Sequence, residues 1–242
     1  MKIVAITQAR TGSTRLPGKV MMDLMGKPML TRHVERVMRA RRIDEVVVAT
    51  TTLSKDDVIH DLCKDNGWLC FRGSESDVLD RYYRAALERG ADIVVRVTSD
   101  CPLIDPDLID DVIAAPADAD GAVEFAANRI QERSYPIGLD CEAMLFPVLA
   151  RIWKDDTDMS SREHVTTYVY HNLGLFRVRD VSGDGDYRHM RWTVDVPEDL
   201  EFVRKIYEHF GHDHFSWTEV VDILKVHPEW MDINRHIRQK KI

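Results

Sequence analysis

Short apolar runs that alternate with amphipathic segments constrain the fold of this chain most strongly. Four such runs lie in the first hundred residues, at positions 3–7, 45–50, 68–71 and 92–98. Between them, apolar residues recur at helical spacing in the segments 31–41, 56–66 and 76–89. This alternation of strand and helix is typical of an open, mostly parallel sheet with helices on both faces. The sequence therefore predicts an α/β fold.

The second half of the chain loses this regular alternation. Further strands are predicted at residues 122–127, 139–145, 175–181 and 191–194, and helices at 147–154 and 162–171. Pro197 opens another helix, because proline in the first turn followed by acidic residues favours a helix start. No linker, repeat or low-complexity segment marks a second domain. We therefore expect residues 1–242 to form a single domain in which residues 122–190 are an inserted α+β segment.

The turn after the first predicted strand is dense in glycine, proline and cations. It carries Arg10, Arg15 and Lys19, together with Gly12 and Gly18. At these glycines, backbone N–H groups can approach a ligand closely. A strand that ends in such a turn is the usual way in which an α/β sheet presents phosphate-binding groups. We therefore predict a polyphosphate-binding loop, with a solvated basic loop as the alternative.

Two common phosphate-binding motifs do not match this turn. A Walker loop has four residues between its first glycine and the Gly-Lys pair, and then Ser or Thr. Here five residues separate Gly12 from Gly18, and Val20 follows Lys19. No G-x-G-x-x-G pattern follows the first strand, which argues against a dinucleotide site. If the turn binds phosphate, it is therefore a third kind of phosphate-binding loop.

Two aspartates directly follow predicted strands. Asp100 comes after the predicted central strand and Ser99, and Asp195 comes after the last predicted strand. Ligands of open α/β sheets lie across the carboxyl ends of the strands, so both carboxylates are expected to face the cationic loop. Two such strand ends can supply both protein ligands of one Mg²⁺. The alternative role for such acids is helix capping, which we prefer for Asp105.

Composition argues against several classes of protein. No apolar run approaches the roughly 18 residues of a membrane span, and no signal peptide is evident, so we expect a cytoplasmic protein. Residues 1–42 contain ten Lys or Arg and two acidic residues, whereas the whole chain has a net charge of -8. A basic block on an acidic chain suits a small anionic ligand better than a nucleic acid. The four cysteines lack C-x-x-C spacing and are interpreted as buried small hydrophobes.

Several motifs extend the pattern of the loop along the chain. The loop reads QARTGSTRLPGK from Gln8 to Lys19, and the later motifs are GKPM at 26–29, DVLDRY at 77–82, RVTSDCPLID at 96–105, GLDCE at 138–142, REHVT at 162–166 and WTVDVPEDL at 192–200. Together they resemble the sugar-acid cytidylyltransferases, typified by the CMP-Kdo and CMP-sialate synthetases. Within that superfamily they are most similar to the spore coat polysaccharide biosynthesis protein F family. The resemblance spans about residues 3–205 and leaves residues 207–242 unassigned.

This resemblance implies a nucleotide-diphospho-sugar transferase fold, which is Rossmann-like, and a specific reaction. CMP would pass from CTP to an anionic sugar or sugar-acid acceptor with release of pyrophosphate, in surface polysaccharide or glycoconjugate synthesis. By similarity, Arg10, Arg15 and Lys19 would hold the triphosphate, and Asp100 and Asp195 would bind Mg²⁺. The further nucleotide contacts would be Ala9, Gly12, Ser13, Arg72 and Ser99.

By the same resemblance, the second half of the chain would bind the acceptor. Its candidate residues are Tyr135, Asp140, Glu142, Arg162 and His164. His164 is a candidate general base, with a structurally hydrogen-bonded histidine as the alternative. Gln8 and Ser99 depart from the Pro and Gly that are usual in the family, which leaves the acceptor open. The resemblance also suggests a homodimer built through residues 122–190.

Other patterns keep alternative functions open. His209, His212 and His214 have the density of a metal site, although histidines at a helix end also serve as caps. Residues 105–107 and 184–186 each spell D-x-D, a metal-binding motif of many glycosyltransferases of this fold class. Nucleotide-sugar-dependent glycosyl transfer is therefore the second hypothesis, and a catalytically silent nucleotide-binding module is the third.

Overall fold

A seven-stranded sheet forms the centre of the molecule in a computed structural model that describes residues 1–239. The strands of the chain are β1 (Ile3–Gln8), β2 (Asp23–Leu24), β3 (Lys27–Pro28), β4 (Glu45–Thr51), β5 (Leu69–Gly73), β6 (Ile93–Thr98), β7 (Phe125–Ala127), β8 (Glu142–Leu145) and β9 (Val178–Asp180). The sheet has the order β5-β4-β1-β6-β8-β7-β9, and β2 and β3 form a separate hairpin. β8 runs antiparallel to both of its neighbours, whereas the other neighbours are parallel. The predicted open, mostly parallel α/β sheet is confirmed.

Helices cover both faces of this sheet. They are α1 (Met29–Val37), α2 (Asp57–Asp65), α3 (Val78–Arg89), α4 (Pro106–Ala117), α5 (Phe146–Asp155), α6 (Met159–Glu163), α7 (Thr167–His171), α8 (Pro197–Phe210) and α9 (Trp217–Val226). Successive residues of a strand point to opposite faces, so Ile3 and Ala5 pack with α1, α4 and α8, whereas Val4 and Ile6 pack with α3 and α5. Because both faces are buried, the central strands are continuous apolar runs.

The predicted strand at residues 191–194 is wrong. Within the described chain, its strand-like pairing is an isolated bridge between Ile137 and Arg191. The segment is held by backbone hydrogen bonds from Trp192 N to Ile137 O at 2.7 Å and from Val194 N to Asp100 O at 2.8 Å. Trp192 and Val194 are fully buried, which explains why the segment has the composition of a strand. The second bond brings the end of this segment beside the loop that follows β6.

Two other boundaries differ from the predictions. The helix predicted at residues 162–171 is divided into α6 and α7, because Val165 lies between them with a left-handed φ of 64°. His164 is therefore at the end of α6 and not within a continuous helix. Arg72 and Gly73 belong to β5 and not to a turn, since they pair with residues 50 and 51 of β4.

The C-terminal part of the described chain adds structure that the sequence patterns did not predict. Ser216 caps α9 together with Glu219, and a 3₁₀ segment, Pro228–Ile233, then packs against α8. All four cysteines lie among the described residues and are free; Cys70 is half-buried and the other three are buried. Within residues 1–239, no helix is both long and apolar enough to cross a membrane.

Candidate active site

The predicted phosphate-binding loop leaves the carboxyl end of β1 and is fixed by Asp56, a fully buried residue. One Asp56 carboxylate oxygen accepts hydrogen bonds from the Thr11 backbone N–H and hydroxyl, each at 2.7 Å. The other oxygen accepts a hydrogen bond from the Thr51 hydroxyl. Burial by itself raises the pKa of Asp56, but these hydrogen bonds outweigh burial and the pKa is lowered. The sequence patterns indicated only that Asp56 opens a helix.

Backbone hydrogen bonds close the loop on itself. The carbonyl oxygen of Thr11 accepts from Ser13 N at 3.0 Å and from Gly18 N at 2.9 Å. Gly18 has a φ of 71°, a left-handed conformation that glycine adopts without the steric cost of a side chain. Lys19 follows directly and begins a 3₁₀ turn, so its side chain points inward from the end of the loop.

Lys19 joins the loop to both predicted metal ligands. Its ammonium donates to Asp100 Oδ2 at 3.1 Å, to Asp195 Oδ1 at 3.0 Å and to the backbone oxygen of Val194 at 2.7 Å. Burial lowers the pKa of Lys19, but the two carboxylates outweigh burial and raise it, so the ammonium stays charged. Arg15 Nη2 lies 2.9 Å from Asp195 Oδ2. The structure thus brings four predicted site residues into one cluster.

The carboxylates of Asp100 and Asp195 fit a divalent cation. Both place an oxygen about the same distance from one ammonium, so their oxygens already converge on a shared cation. Burial raises the pKa of Asp100, but the Lys19 charge and the hydrogen bonds to the carboxylate together outweigh burial, so the pKa is lowered and the carboxylate stays ionised. Among residues 1–239, no three His, Cys, Asp or Glu side chains form a metal cluster. Mg²⁺ commonly binds to one or two protein carboxylates and takes its remaining ligands from water and phosphate oxygens.

Two buried groups that the sequence analysis missed support this cluster. His33 bonds to Cys101 O and to Thr7 Oγ1, both at 3.0 Å, and so fixes the loop that carries Asp100. Burial lowers the pKa of His33 to about 4, so the imidazole is neutral at physiological pH. Arg191 Nη2 donates to Asp195 Oδ2 at 3.0 Å, the same oxygen that Arg15 of the loop contacts.

Arg10 lies apart from the two aspartates. Its guanidinium is exposed and pairs with Glu163 Oε1 at 3.2 Å, which links the loop to the end of α6. A Cβ at Gly12 would lie 2.9 Å from the ammonium of Lys55, so this glycine allows a further cation to approach the loop. Neither Glu163 nor Lys55 was singled out from the sequence.

The other predicted nucleotide contacts surround the loop. Ala9 N donates to the backbone oxygen of Ala49 at 3.1 Å, and Ser99 is buried next to Asp100. Ser13 Oγ accepts from Leu16 N at 3.3 Å, inside the loop. Arg72 donates from Nε to Thr51 O at 2.8 Å and from Nη2 to Leu53 O at 3.0 Å. Arg72 therefore orders the segment that carries Asp56, and its contact with a nucleotide base stays a prediction.

Two acceptor candidates use their polar atoms within the protein. Glu142 is buried and accepts from Arg96 at 3.0 Å, from Arg129 at 3.2 Å and from the Tyr170 hydroxyl at 2.9 Å. Arg162 donates to Asp77 Oδ2 at 2.8 Å and to two backbone oxygens, those of residues 153 and 156. These contacts hold α6 and β8 in place, and a direct contact of either residue with an acceptor stays a prediction.

The segment that carries Tyr135 and Asp140 packs directly against the aspartate cluster. A Cβ at Gly138 would lie only 2.5 Å from Thr193 N, so the close approach requires glycine. The Thr193 hydroxyl donates to the backbone oxygen of Asp100 at 3.3 Å. Asp140 pairs with Arg133 at 2.6 Å, and Tyr135 packs edge-on against Trp217. The acceptor roles of Tyr135, Asp140 and His164 stay predictions.

The remaining patterns have structural explanations. Asp105 caps α4 by accepting from Asp107 N at 2.9 Å and Leu108 N at 3.2 Å, which confirms the capping interpretation. In the second D-x-D, Asp186 pairs with Arg188 at the surface. In the histidine cluster near the C-terminus, the ring of His209 packs against Trp230, and the ring of His214 packs against His212.

Several known proteins are similar to this chain in sequence or in structure. The sequence model of the cytidylyltransferase family matches residues 4–217. The spore coat polysaccharide biosynthesis protein SpsF of Bacillus subtilis is 32% identical over 235 residues, which cover 94% of this chain and 95% of that protein. The 3-deoxy-manno-octulosonate cytidylyltransferase of Geobacter sulfurreducens is 43% identical over 195 residues, which cover 70% of this chain and 76% of that protein. The solved structure of a cytidylyltransferase from Leptospira borgpetersenii is 32% identical, covers 100% of both chains and has a TM-score of 0.93.

These similarities include every residue of the cluster described above. The loop, Asp100 and Asp195 all lie inside the matched range 4–217, and the fold agrees over the whole chain. The resemblance that the motifs indicated is therefore confirmed. On the combined weight of its motifs, its sheet topology and these relatives, the chain belongs to the cytidylyltransferase family and is a nucleotidyltransferase.

Proposed function

We propose that this protein transfers CMP from CTP to an anionic sugar or sugar-acid acceptor, with Mg²⁺, and releases pyrophosphate. The observation that carries the proposal is the contact of two loop cations, Arg15 and Lys19, with the carboxylates of Asp100 and Asp195. A triphosphate needs fixed cations, and its metal ion needs carboxylates; here both belong to one cluster of contacts. The names of the Geobacter and Bacillus relatives support a sugar acid as acceptor and polysaccharide synthesis as the pathway.

In the proposed reaction, an acceptor oxygen attacks the α-phosphorus of CTP. The new phosphorus–oxygen bond forms while the bond from the α-phosphorus to the oxygen that bridges to the β-phosphorus breaks. Pyrophosphate leaves with that bridging oxygen, and the acceptor hydroxyl releases its proton to the solvent. Catalysis of this kind consists mostly of positioning and of neutralising negative charge, so no covalent intermediate with the protein is needed.

The chain's own residues have separable roles in this scheme. Lys19 and Arg15 would hold phosphate oxygens and neutralise the charge that the leaving pyrophosphate gains, and Arg10 would hold the outer end of the triphosphate. Asp100 and Asp195 would hold Mg²⁺, which supplies positive charge to the phosphates when bound. Asp56 keeps the backbone amides of the loop in position through Thr11.

The proposed acceptor site and the proposed dimer contact both lie in the second half of the chain. Because Gly138 brings its segment against Thr193, an acceptor bound near Tyr135 and Asp140 would be next to Asp100. We further propose that residues 1–242 act as one domain, that residues 122–190 form the contact of a homodimer, and that the enzyme works in the cytoplasm. Sedimentation as a monomer at micromolar concentration would contradict the dimer.

Release of pyrophosphate tests the reaction directly. Each nucleoside triphosphate is combined with a panel of sugar acids, with and without Mg²⁺, and pyrophosphate is measured. We expect pyrophosphate from CTP with one class of acid and only with the metal. Cleavage of a UDP- or GDP-sugar without pyrophosphate from CTP would favour the glycosyltransferase hypothesis instead.

Single substitutions then test the cluster. We expect Lys19→Ala and Asp100→Ala each to lower the rate at least about a hundredfold, because each removes a fixed charge from a low-dielectric site. Lys225→Ala is the matched control, since Lys225 is exposed and pairs only with Asp222 among the described ion pairs. A wild-type rate in the Lys19 or Asp100 variant, with native circular dichroism, would remove that residue from the site.

A further inference from the structure

The chain returns to the active site after α9. Asn234 follows the 3₁₀ segment Pro228–Ile233 and is 2% exposed. Its side-chain Nδ2 donates to the backbone oxygen of Arg191 at 2.9 Å and to Asp199 Oδ1 at 3.0 Å. Gln239 accepts a further hydrogen bond from Arg191 Nη1. This C-terminal segment lies beyond residues 4–217, the range that matches the cytidylyltransferase family.

Arg191 and Asp199 form the buried pair that Asn234 holds. Arg191 donates to Asp199 from Nε and from Nη2, both at 2.8 Å, in the bidentate arrangement that fixes both side chains. Asp199 Oδ2 also accepts from Asp195 N at 2.9 Å and from Val196 N at 3.2 Å. Asp199 therefore fixes the backbone of Asp195, and Arg191 reaches the carboxylate of the same residue.

This arrangement decides which oxygen of Asp195 faces Asp100. Oδ2 of Asp195 accepts a hydrogen bond from Arg191 and forms an ion pair with Arg15, whereas Oδ1 accepts from Lys19, which Asp100 also contacts. The loop cations can exchange Asp195 for phosphate oxygens when a nucleotide binds. Arg191 cannot exchange Asp195 for a phosphate oxygen, because it is buried and bonded to Asp199. Arg191 is thus the permanent partner that orients Asp195.

We propose that Asn234 is a positioning residue for the metal site. It closes the chain of contacts from Asn234 through Asp199 and Arg191 to Asp195, and it thereby sets the affinity of the site for a divalent cation. The inference rests on the proposed function, because that function makes Asp195 a metal ligand. Groups that orient metal ligands from behind typically change metal affinity by 10–100-fold when they are removed. Without Asn234, Asp199 Oδ1 and the Arg191 carbonyl each lose a donor, and the Arg191–Asp199 pair gains freedom to turn.

Binding of Mn²⁺ to the purified protein, followed by electron paramagnetic resonance of the free ion, tests this role without relying on turnover. We expect Asn234→Ala to raise the Kd for Mn²⁺ about tenfold. Asn234→Ser keeps a shorter donor and is expected to give an intermediate value. Met231→Ala is the matched control: Met231 belongs to the same 3₁₀ segment and packs against the core, and no hydrogen bond joins its side chain to Arg191 in the described chain.

The same variants are then assayed for pyrophosphate release over a range of Mg²⁺ concentrations. The Asn234 variants should need correspondingly more Mg²⁺ for half-maximal rate and approach the wild-type kcat at saturation. Met231→Ala should lower Tm but leave both metal dependences within about twofold of wild type. Equal Mn²⁺ affinity of wild type and both Asn234 variants, or equal weakening in Met231→Ala, overturns the inference. Wild-type protein that binds Mn²⁺ yet forms no pyrophosphate from CTP overturns the proposed function instead.

Discussion

Asp56 offers a sharp test of how the fold holds the phosphate-binding loop. Asp56→Ala removes the acceptor of three hydrogen bonds, two from Thr11 and one from Thr51. The Thr51 hydroxyl is fully buried and cannot reach water, whereas Thr11 is half-buried and its hydroxyl already lies 3.2 Å from Lys55 O. We therefore expect the loss of stability to come mostly from the unpaired Thr51 hydroxyl. The loss of order in the loop should come mostly from the unpaired Thr11 amide.

The magnitude follows from these three bonds. A hydrogen bond to a charged group contributes about 1.5–3 kcal/mol, and a buried donor left without a partner costs about 1–3 kcal/mol. Because Thr11 can be partly solvated, we expect Asp56→Ala to lower the free energy of unfolding by about 3 kcal/mol. Asp57→Ala is the control: Asp57 is exposed and pairs with Arg72 at 2.7 Å, a surface pair that contributes about 0–1 kcal/mol.

Urea unfolding followed by circular dichroism measures both variants. The pKa of Asp56 is lowered in the folded state, so its stabilisation is present above its ordinary pKa of 3.8 and is lost as the pH falls through the lowered value. The difference between wild type and Asp56→Ala should therefore be full at pH 7 and shrink in strong acid. KM for CTP should rise more in Asp56→Ala than in Asp57→Ala. Equal destabilisation by the two substitutions would refute the reasoning.

Two further substitutions test the second half of the chain. Gly138→Ala should lower the free energy of unfolding by at least about 2 kcal/mol, since its φ is 109° and the added Cβ would meet Thr193 N; Gly174→Ala, with open space around it, should leave Tm nearly unchanged. Glu142→Gln should cost about 3–5 kcal/mol, because it leaves the buried Arg96 and the half-buried Arg129 without their carboxylate. Burial raises the pKa of Glu142, but the arginines and hydrogen bonds outweigh burial and lower it. Its stabilisation is therefore present above the ordinary pKa of 4.5 and is lost as the pH falls through the lowered value, so wild type should lose stability more steeply in acid than Glu142→Gln.

Local patterns were sufficient to predict the main strands and helices of the first half of the fold, although not the short β2–β3 hairpin. The runs that form β1, β4 and β6 are apolar on both faces, and the helices between them repeat apolar residues at their own period. Both signals come from residues close together in the chain. The segment at 191–194 shows the limit of this approach, since burial gives an extended segment the composition of a strand whether or not a partner strand exists.

The candidate site was partly predictable for a topological reason. The carboxyl ends of parallel strands meet at one edge of a sheet, which places the loop after β1 near Asp100 after β6. The partners that hold these residues were not predictable in the same way. Thr11 and Asp56 are separated by 45 positions, and Arg191 and Asn234 by 43. An aspartate or asparagine at such a position has the same local sequence signal whether it is solvated, caps a helix or supports a site.

Arg10 illustrates a different limit. The sequence groups it with Arg15 and Lys19, but its guanidinium contacts Glu163 and not the two aspartates. That contact depends on α6, which the inserted segment places beside the loop. Position along a loop therefore predicts that a cation is near the site, and only the packing of distant elements decides which carboxylate it contacts.

From the ion pairs of the cluster we predict that nucleotide and metal bind cooperatively. Lys19 and Arg15 are paired with the same carboxylates that the metal would use, at 2.9–3.1 Å. A metal ion alone must displace these cations from Asp100 and Asp195, and a triphosphate alone must leave the two carboxylates facing each other without a positive charge. Each ligand therefore relieves the cost of binding the other, and the coupling must be the same in both directions.

The Lys19→Met variant tests whether the Lys19 ammonium competes with the metal ion for Asp100 and Asp195. We expect CTP to tighten Mn²⁺ binding by at least about fivefold in wild type, after allowance for the complex that the two form in solution. In Lys19→Met no ammonium competes for Asp100 and Asp195, so Mn²⁺ should bind the free protein more tightly and CTP should add less. Calorimetric titration of each ligand, with and without the other, measures both effects. Weaker Mn²⁺ binding in Lys19→Met than in wild type would show that the ammonium does not compete with the metal, and the exchange would have to be abandoned.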